Sequence, residues 1–192
     1  VLSNRRSMEE NAALLTGMKS AFQLSNDKIA HIGDLLSMTM NKTAADFAGL
    51  SDALTYAAPV AKNAGVSIEQ TAAMGGALHD AKITGSMAGT GSRAILSRLQ
   101  APTGKAFEAI KELVAKTSDS KGNTRPIFSI LKEMQRNFEN NNLGTSQRGE
   151  YMKTIFGEDA CSAAVLMEAD SSGKLDRLTA AFKASDDNLG TG

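Results

Sequence analysis

Apolar residues along this chain recur at steps of three and four, the spacing that gathers them on one side of a helix. Phe47, Leu50, Leu54, Ala58 and Ala61 make one such face, and Ile127, Ile130, Leu131, Met134 and Phe138 make a stronger one. Shorter versions run through Phe107, Ile110 and Val114, and through Leu175, Leu178 and Phe182. The alternation that marks a half-buried strand is nearly absent. The pattern predicts an all-α chain, a multi-helix bundle with at most one small β-hairpin near 113–127. There a polar, glycine-containing stretch separates Leu113-Val114-Ala115 from Arg125-Pro126-Ile127, and an isolated hairpin is marginal in water.

The punctuation between these faces is local and chemical. Ser67-Ile68-Glu69-Gln70 has the form of a capping box, in which the serine hydroxyl and the glutamine amide satisfy backbone amides at a helix start. Gly65, just before it, suits the left-handed turn that ends the preceding helix. Ser25, Thr43, Ser86 and Thr145 are further candidate N-caps. Breaks are predicted near 41–43, 64–67, 83–86, 101–104, 117–125, 141–146 and 170–173. Pro59 falls inside an apolar-periodic segment, where it lacks an amide and crowds the carbonyl of Thr55, a cost of about 3 kcal/mol. Two readings stay open: one helix ends near Ala57 and another starts at Pro59, or a single kinked helix carries its apolar face through both halves.

Composition narrows the class of protein. The chain has 192 residues, 42% of them hydrophobic and 22% charged, enough for one or two domains with a real core. Lysine plus arginine number 21, as do aspartate plus glutamate, so no basic excess points to direct nucleic-acid binding. No apolar run reaches the roughly 18 residues of a membrane span. Val1-Leu2-Ser3-Asn4-Arg5-Arg6 lacks the apolar core of a signal peptide. The single cysteine, Cys161, cannot form an intrachain disulfide; set among alanine, valine and leucine, it is expected to be buried. The absence of an initiating methionine and the ending Leu189-Gly190-Thr191-Gly192 suggest a piece of a longer protein.

No residue set carries catalysis, a metal or a cofactor in this reading. His31 and His79 are the two histidines, too few with one cysteine for a metal cluster, and each is expected on the surface or in packing. His79 and Asp80 are adjacent, and neighbours on a helix do not face each other. Gly85, Gly89 and Gly91 superficially suggest a phosphate loop, but the lysine and the preceding strand are missing. They read better as a turn at Gly85, a cap at Ser86 and bare backbone at Gly89 for a close helix contact. Ala72–Ala77 offers a second small-residue surface, for contacts within the chain or between copies. Glu158 and Asp159 could pair as carboxylates, yet more simply place negative charge at a helix start. The nine methionines are scattered and suit irregular core gaps.

The order of these pieces resembles the core region of bacteriophage tail tape-measure proteins. The matching residues are Ile32–Leu36, Ala53–Ala61 with Tyr56 and Pro59, Gly65–Ala73 with Ser67 and Gln70, and Ile83–Thr90 with Gly85, Ser86 and Gly89. They continue through Leu96–Pro102, Gly122–Pro126, Ile155-Phe156-Gly157 and the closing Leu189–Gly192. Each piece alone is unspecific; their order and spacing together are distinctive. The likeness covers residues 30–192, which suggests an N-terminal helical extension over 1–30 and a core-region helical domain over 31–192.

The resemblance implies a structural role. Such proteins are long and largely helical, lie inside the growing tail tube, set its length and leave it ahead of the DNA at infection. Their expected partners are other copies of themselves, tube subunits, tail-tip or baseplate proteins and tail assembly chaperones. Their place is the tail lumen of the virion, and the host cytoplasm during assembly. The site residues it implies are ones of packing and shape: Pro59, Gly65, Ser67, Gln70, Gly85, Ser86, Gly89, Thr90, Gly91, Pro102, Phe156 and Gly157. No cofactor is implied. One competing class is a peptidoglycan-cleaving domain of a tail protein, with Glu150 or Glu158 as the first acid to suspect. Another is a generic helical adaptor encoded by a prophage.

Overall fold

A computed structural model describes residues 2–114 and 116–189, with side chains described for 8–114 and 116–185. Among these residues the chain runs through α1 (Leu2–Ala21), α2 (Ile29–Lys42), α3 (Phe47–Asn63), α4 (Ile68–Asp80) and α5 (Gly85–Gln100). It continues through α6 (Gly104–Leu113), α7 (Ile127–Asn140), α8 (Thr145–Phe156), α9 (Ala160–Ser171) and α10 (Lys174–Leu189). Single 3-10 turns at Asn26–Lys28 and Gly157–Asp159 lead into α2 and α9. The architecture is an all-α bundle. The segment near 113–127 forms a turn closed by one antiparallel bridge, Ser118 to Thr124, with no strand among the described residues. Asp119 holds that turn, its carboxylate accepting from the amides of Lys121 at 2.8 Å and Asn123 at 2.9 Å. Ala115 lies outside the described residues, as does the closing Gly190-Thr191-Gly192.

The periodic faces are the buried faces. Leu50, Leu54, Ala58 and Ala61 of α3 are buried, as are Ile127, Ile130, Leu131, Met134 and Phe138 of α7. Phe107 differs from its partners: it stays half-exposed while Ile110 and Val114 go inside. One apolar cluster runs from Leu14, Met18 and Phe22 of the first segment to Phe182 of α10. Phe138, Phe156 and Phe182 are among its largest fully buried side chains. Each such burial contributes about 1.5–3 kcal/mol. The most extensive helix pair is α3 with α5, and α10 closes the bundle against α4 and α2.

Helix ends explain where the expected boundaries shift. After α3, the amide of Val66 bonds the carbonyl of Ala61 and that of Gly65 bonds Lys62, with Gly65 at φ +72°. This is a Schellman ending. The same bond pattern ends α1, α4 and α7, where Gln23, Lys82 and Asn142 occupy the left-handed position. The break after α1 therefore carries no glycine signal. Thr43 is not an N-cap: it closes α2, donating its hydroxyl to the Thr39 carbonyl, and Asp46 caps α3 instead by accepting from Gly49 N at 2.8 Å. Thr84 holds the N-cap position of α5, so Ser86 sits inside the first turn; Thr145 is the first residue of α8, preceded by Gly144. Ser25 precedes only a 3-10 turn and makes no side-chain capping bond. The reading in which one helix ends near Ala57 is overturned, because α3 passes through Pro59 unbroken with the ring on its exposed side.

Candidate functional site

The distinctive geometry of this molecule lies where glycines let helices touch. Gly89 of α5 faces α3: a β-carbon there would meet the Tyr56 β-carbon at 2.7 Å and the Ala53 carbonyl oxygen at 2.8 Å. Two residues on, about half a turn around the helix, Gly91 faces α9, where a β-carbon would lie 2.8 Å from the Ser162 hydroxyl. Thr90 between them is exposed. So α5 is wedged between α3 and α9, each approach made possible by one missing side chain.

A second junction forms around α4. Every residue from Thr71 to His79 is buried. A β-carbon at Gly76 would meet the Thr43 methyl group at 2.7 Å, and one at Gly49 would meet His79 Nε2 at 2.5 Å. His79 uses both ring nitrogens: Nδ1 donates to the Gly75 carbonyl at 2.7 Å, and Nε2 accepts from the Gly85 amide at 3.1 Å. It thereby holds the start of α5, where Gly85 turns at φ +58°. His31 of α2 is also buried and pairs with Glu69 of α4 at 2.8 Å. Both histidines are internal fasteners, with neither on the surface. Next to His79, Asp80 accepts from the amide of Ala44 at 2.6 Å and pairs with Lys174 of α10, tying three segments together.

Ser67 caps α4 with a complete box: its hydroxyl accepts from Gln70 N at 3.1 Å, and the Gln70 side chain accepts from Ser67 N at 3.0 Å. Phe156 is fully buried at the end of α8. Gly157 follows at φ +59°, where a β-carbon would come within 3.2 Å of the Arg98 guanidinium. Arg98 reaches across from α5 to donate to the Ile155 carbonyl at 3.0 Å, satisfying the C-terminal end of α8. Pro102 stands in the loop between α5 and α6, beside the half-exposed Phe107. Cys161, expected inside, is exposed: α9 turns its Ser162 and Ala163 inward and carries the thiol on the opposite side.

Ionisable groups converge weakly. Among the described residues no group of three or more histidine, cysteine, aspartate or glutamate side chains could hold a metal. One groove, about 830 Å³, is an open furrow between α6 and α8 lined by Lys105, Glu108, Glu112, Glu150 and Tyr151 among others. The Tyr151 hydroxyl donates to Glu112 at 2.6 Å, and that bond raises the phenol above its usual range. Glu150 lines this furrow; Glu158 sits in the turn between α8 and α9 and does not. No described helix is long and apolar enough to cross a membrane.

These close helix contacts belong to a chain with extensive likeness to known proteins. The description of phage-related minor tail proteins fits residues 2–157, most of the chain. The chain belongs to that family. Among relatives of this chain, the "Probable tape measure protein" of Escherichia phage P2 is 84% identical over 186 residues, 96% of this chain and 23% of that protein. The "Tape measure protein" of Pneumococcus phage Dp-1 is 33% identical over 166 residues, 86% of this chain and 14% of that protein. The chain thus spans a quarter or less of the length of these relatives. No solved structure matches it.

Several contacts in this chain have no strong sequence signal. Gly49 and Gly76 face side chains thirty or more residues away in sequence, and a glycine inside a helix pattern does not say what it approaches. Asp46 was readable, standing just before the first apolar residue of α3. Asp80 and Arg98 read as ordinary surface charges on helices, and only the fold gives them partners.

Proposed function

We propose that this chain is a folded module of a tape-measure protein, a structural tail component that takes part in setting tail length. The observation that carries the reading is the 84% identity over 96% of the chain to a relative named as a probable tape measure protein. The geometry agrees with it. The small-residue surfaces at Ala72–Ala77 and around Gly89 serve contacts inside the chain, so the module offers partners an already assembled body. In this reading residues 1–30 are an N-terminal extension on a body spanning 31–192. The module resides in the tail lumen, is assembled in the host cytoplasm, and leaves ahead of the DNA. Its partners are other copies, tube subunits, tail-tip or baseplate proteins and assembly chaperones, and it contacts no nucleic acid directly. Pro59, Gly65, Ser67, Gln70, Gly85, Ser86, Gly89, Thr90, Gly91, Pro102, Phe156 and Gly157 serve packing and shape, and no enzymatic activity is part of the role.

The test is an in-frame deletion of this region from the full-length protein, with tails measured by electron microscopy. A single helix of 192 residues would span about 290 Å. Tails shortened by that much mean that the region runs extended in the tube; a smaller change or loss of tails means that it acts as a compact body. Infectious phage with tails of normal length and number would overturn the reading. Sedimentation at several concentrations tests self-association, and a strict monomer would remove that partner. A cell-wall zymogram addresses the hydrolase alternative, which needs clearing that vanishes on Glu150→Gln or Glu158→Gln.

A further inference from the structure

Asp170, the next-to-last residue of α9, is fully buried, and neither carboxylate oxygen has a hydrogen-bond partner. Burying an ionised carboxylate without partners is among the more costly arrangements a fold can hold. Its position makes the cost local. Asp170 stands just before the two-residue turn at Ser172 and Gly173, with Gly173 at φ +79°, that folds α10 back on α9. The Thr179 hydroxyl, on the buried side of α10, is likewise without a partner. Among the described residues, the charges that act on Asp170 are Lys132 of α7 and Asp176 of α10. Lys132 lies 3.3 Å from Asp176, so it is shared between the two carboxylates. From α4, Asp80 is paired with Lys174 at the start of α10.

We propose that the α9–α10 elbow is a proton-controlled latch: with Asp170 protonated α10 is held firmly on α2 and α4, and with Asp170 ionised it is held loosely. Opening the latch uncovers Leu175, Leu178 and Phe182 and the apolar faces beneath them. The direction follows from linkage. Burial, opposed by Lys132 and aided by Asp176, raises the carboxyl from 3.8 to about 6. The folded state therefore binds this proton more tightly than the unfolded one. The stabilisation is complete below pH 3.8 and is lost as pH rises through about 6. The pairs Lys132–Asp176 and Lys174–Asp80 hold α10 through charge attraction, which acid cannot strengthen. A tightening in acid thus distinguishes Asp170 from them.

The experiment is hydrogen exchange read by mass spectrometry on the whole chain at pH 4.5 and 7.5, corrected for intrinsic exchange rates. Peptides of α3 and α5 serve as the internal reference. The expected result is an α10 opening constant more than about tenfold larger at pH 7.5, given that two pH units of displacement correspond to about a hundredfold. In Asp170→Asn that difference shrinks to a few-fold or reverses, and α10 is better protected at pH 7.5 than in the parent chain. Equal α10 protection at both pH values in the parent chain overturns the proposal, and this holds even if the variant does not fold. A loss spread equally over α3 and α5, or a variant less protected at pH 7.5, overturns it as well.

Discussion

Gly89 and Tyr56 sit so close that the β-carbon of an alanine at 89 would lie 2.7 Å from the β-carbon at 56, with the Ala53 carbonyl oxygen nearly as near. Two backbones meet there, and backbone cannot move aside as the end of a flexible side chain can. The α3–α5 pair, the most extensive in the molecule, depends on this one missing methyl group.

Gly89→Ala is therefore expected to destabilise the chain by about 1–3 kcal/mol, the usual cost of overpacking. Gly149, exposed in α8 with nothing within 4 Å of its added β-carbon, is the control. Gly149→Ala should stabilise by about 0.5–1 kcal/mol through helix propensity. Thermal unfolding followed by circular dichroism distinguishes them by sign. Equal effects would mean that the close contact is not present in solution.

Pro59 leaves the Thr55 carbonyl of α3 without its usual helical donor, while the ring faces outward. Pro59→Ala should restore that bond and stabilise by up to about 3 kcal/mol. A lower melting temperature in this variant would show that the proline ring contributes more than the missing hydrogen bond costs.

The capping box at α4 has both of its bonds in place. Ser67→Ala removes the hydroxyl acceptor for Gln70 N and should cost about 1 kcal/mol. Chemical denaturation with an unchanged slope and a lower midpoint is the expected signature. No change in midpoint would count against the cap.

Lys82 occupies the left-handed position that ends α4, at φ +66°. Glycine adopts that conformation without the crowding that a β-carbon brings. Lys82→Gly is expected to stabilise by a few tenths to about 1 kcal/mol in the same denaturation measurement. A loss instead would mean that the exposed lysine contributes more than the strain it imposes.

Helical faces, the box at Ser67 and the glycine ending at Gly65 were legible because each is a relation among residues within a few positions. Where the same ending used Gln23, Lys82 or Asn142, or where the cap was Asp46 rather than Thr43, the local code was ambiguous and boundaries moved. The candidate site was half legible. A glycine cluster at 85–91 indicated close approach, but not that Gly89 meets α3 while Gly91 meets α9.

By itself, then, the order of amino acids determined that this chain is helical, which sides of its helices turn inward, and which family it resembles, since periodicity and capping act over single turns. Tertiary structure alone decided that Gly91 meets Ser162, that Asp80 reaches Lys174, that Cys161 faces out and that Asp170 is enclosed without a partner. Those relations join residues on different helices, or depend on which side of one helix the others cover. They arise only when the apolar faces find one mutual packing, and no local pattern encodes that outcome.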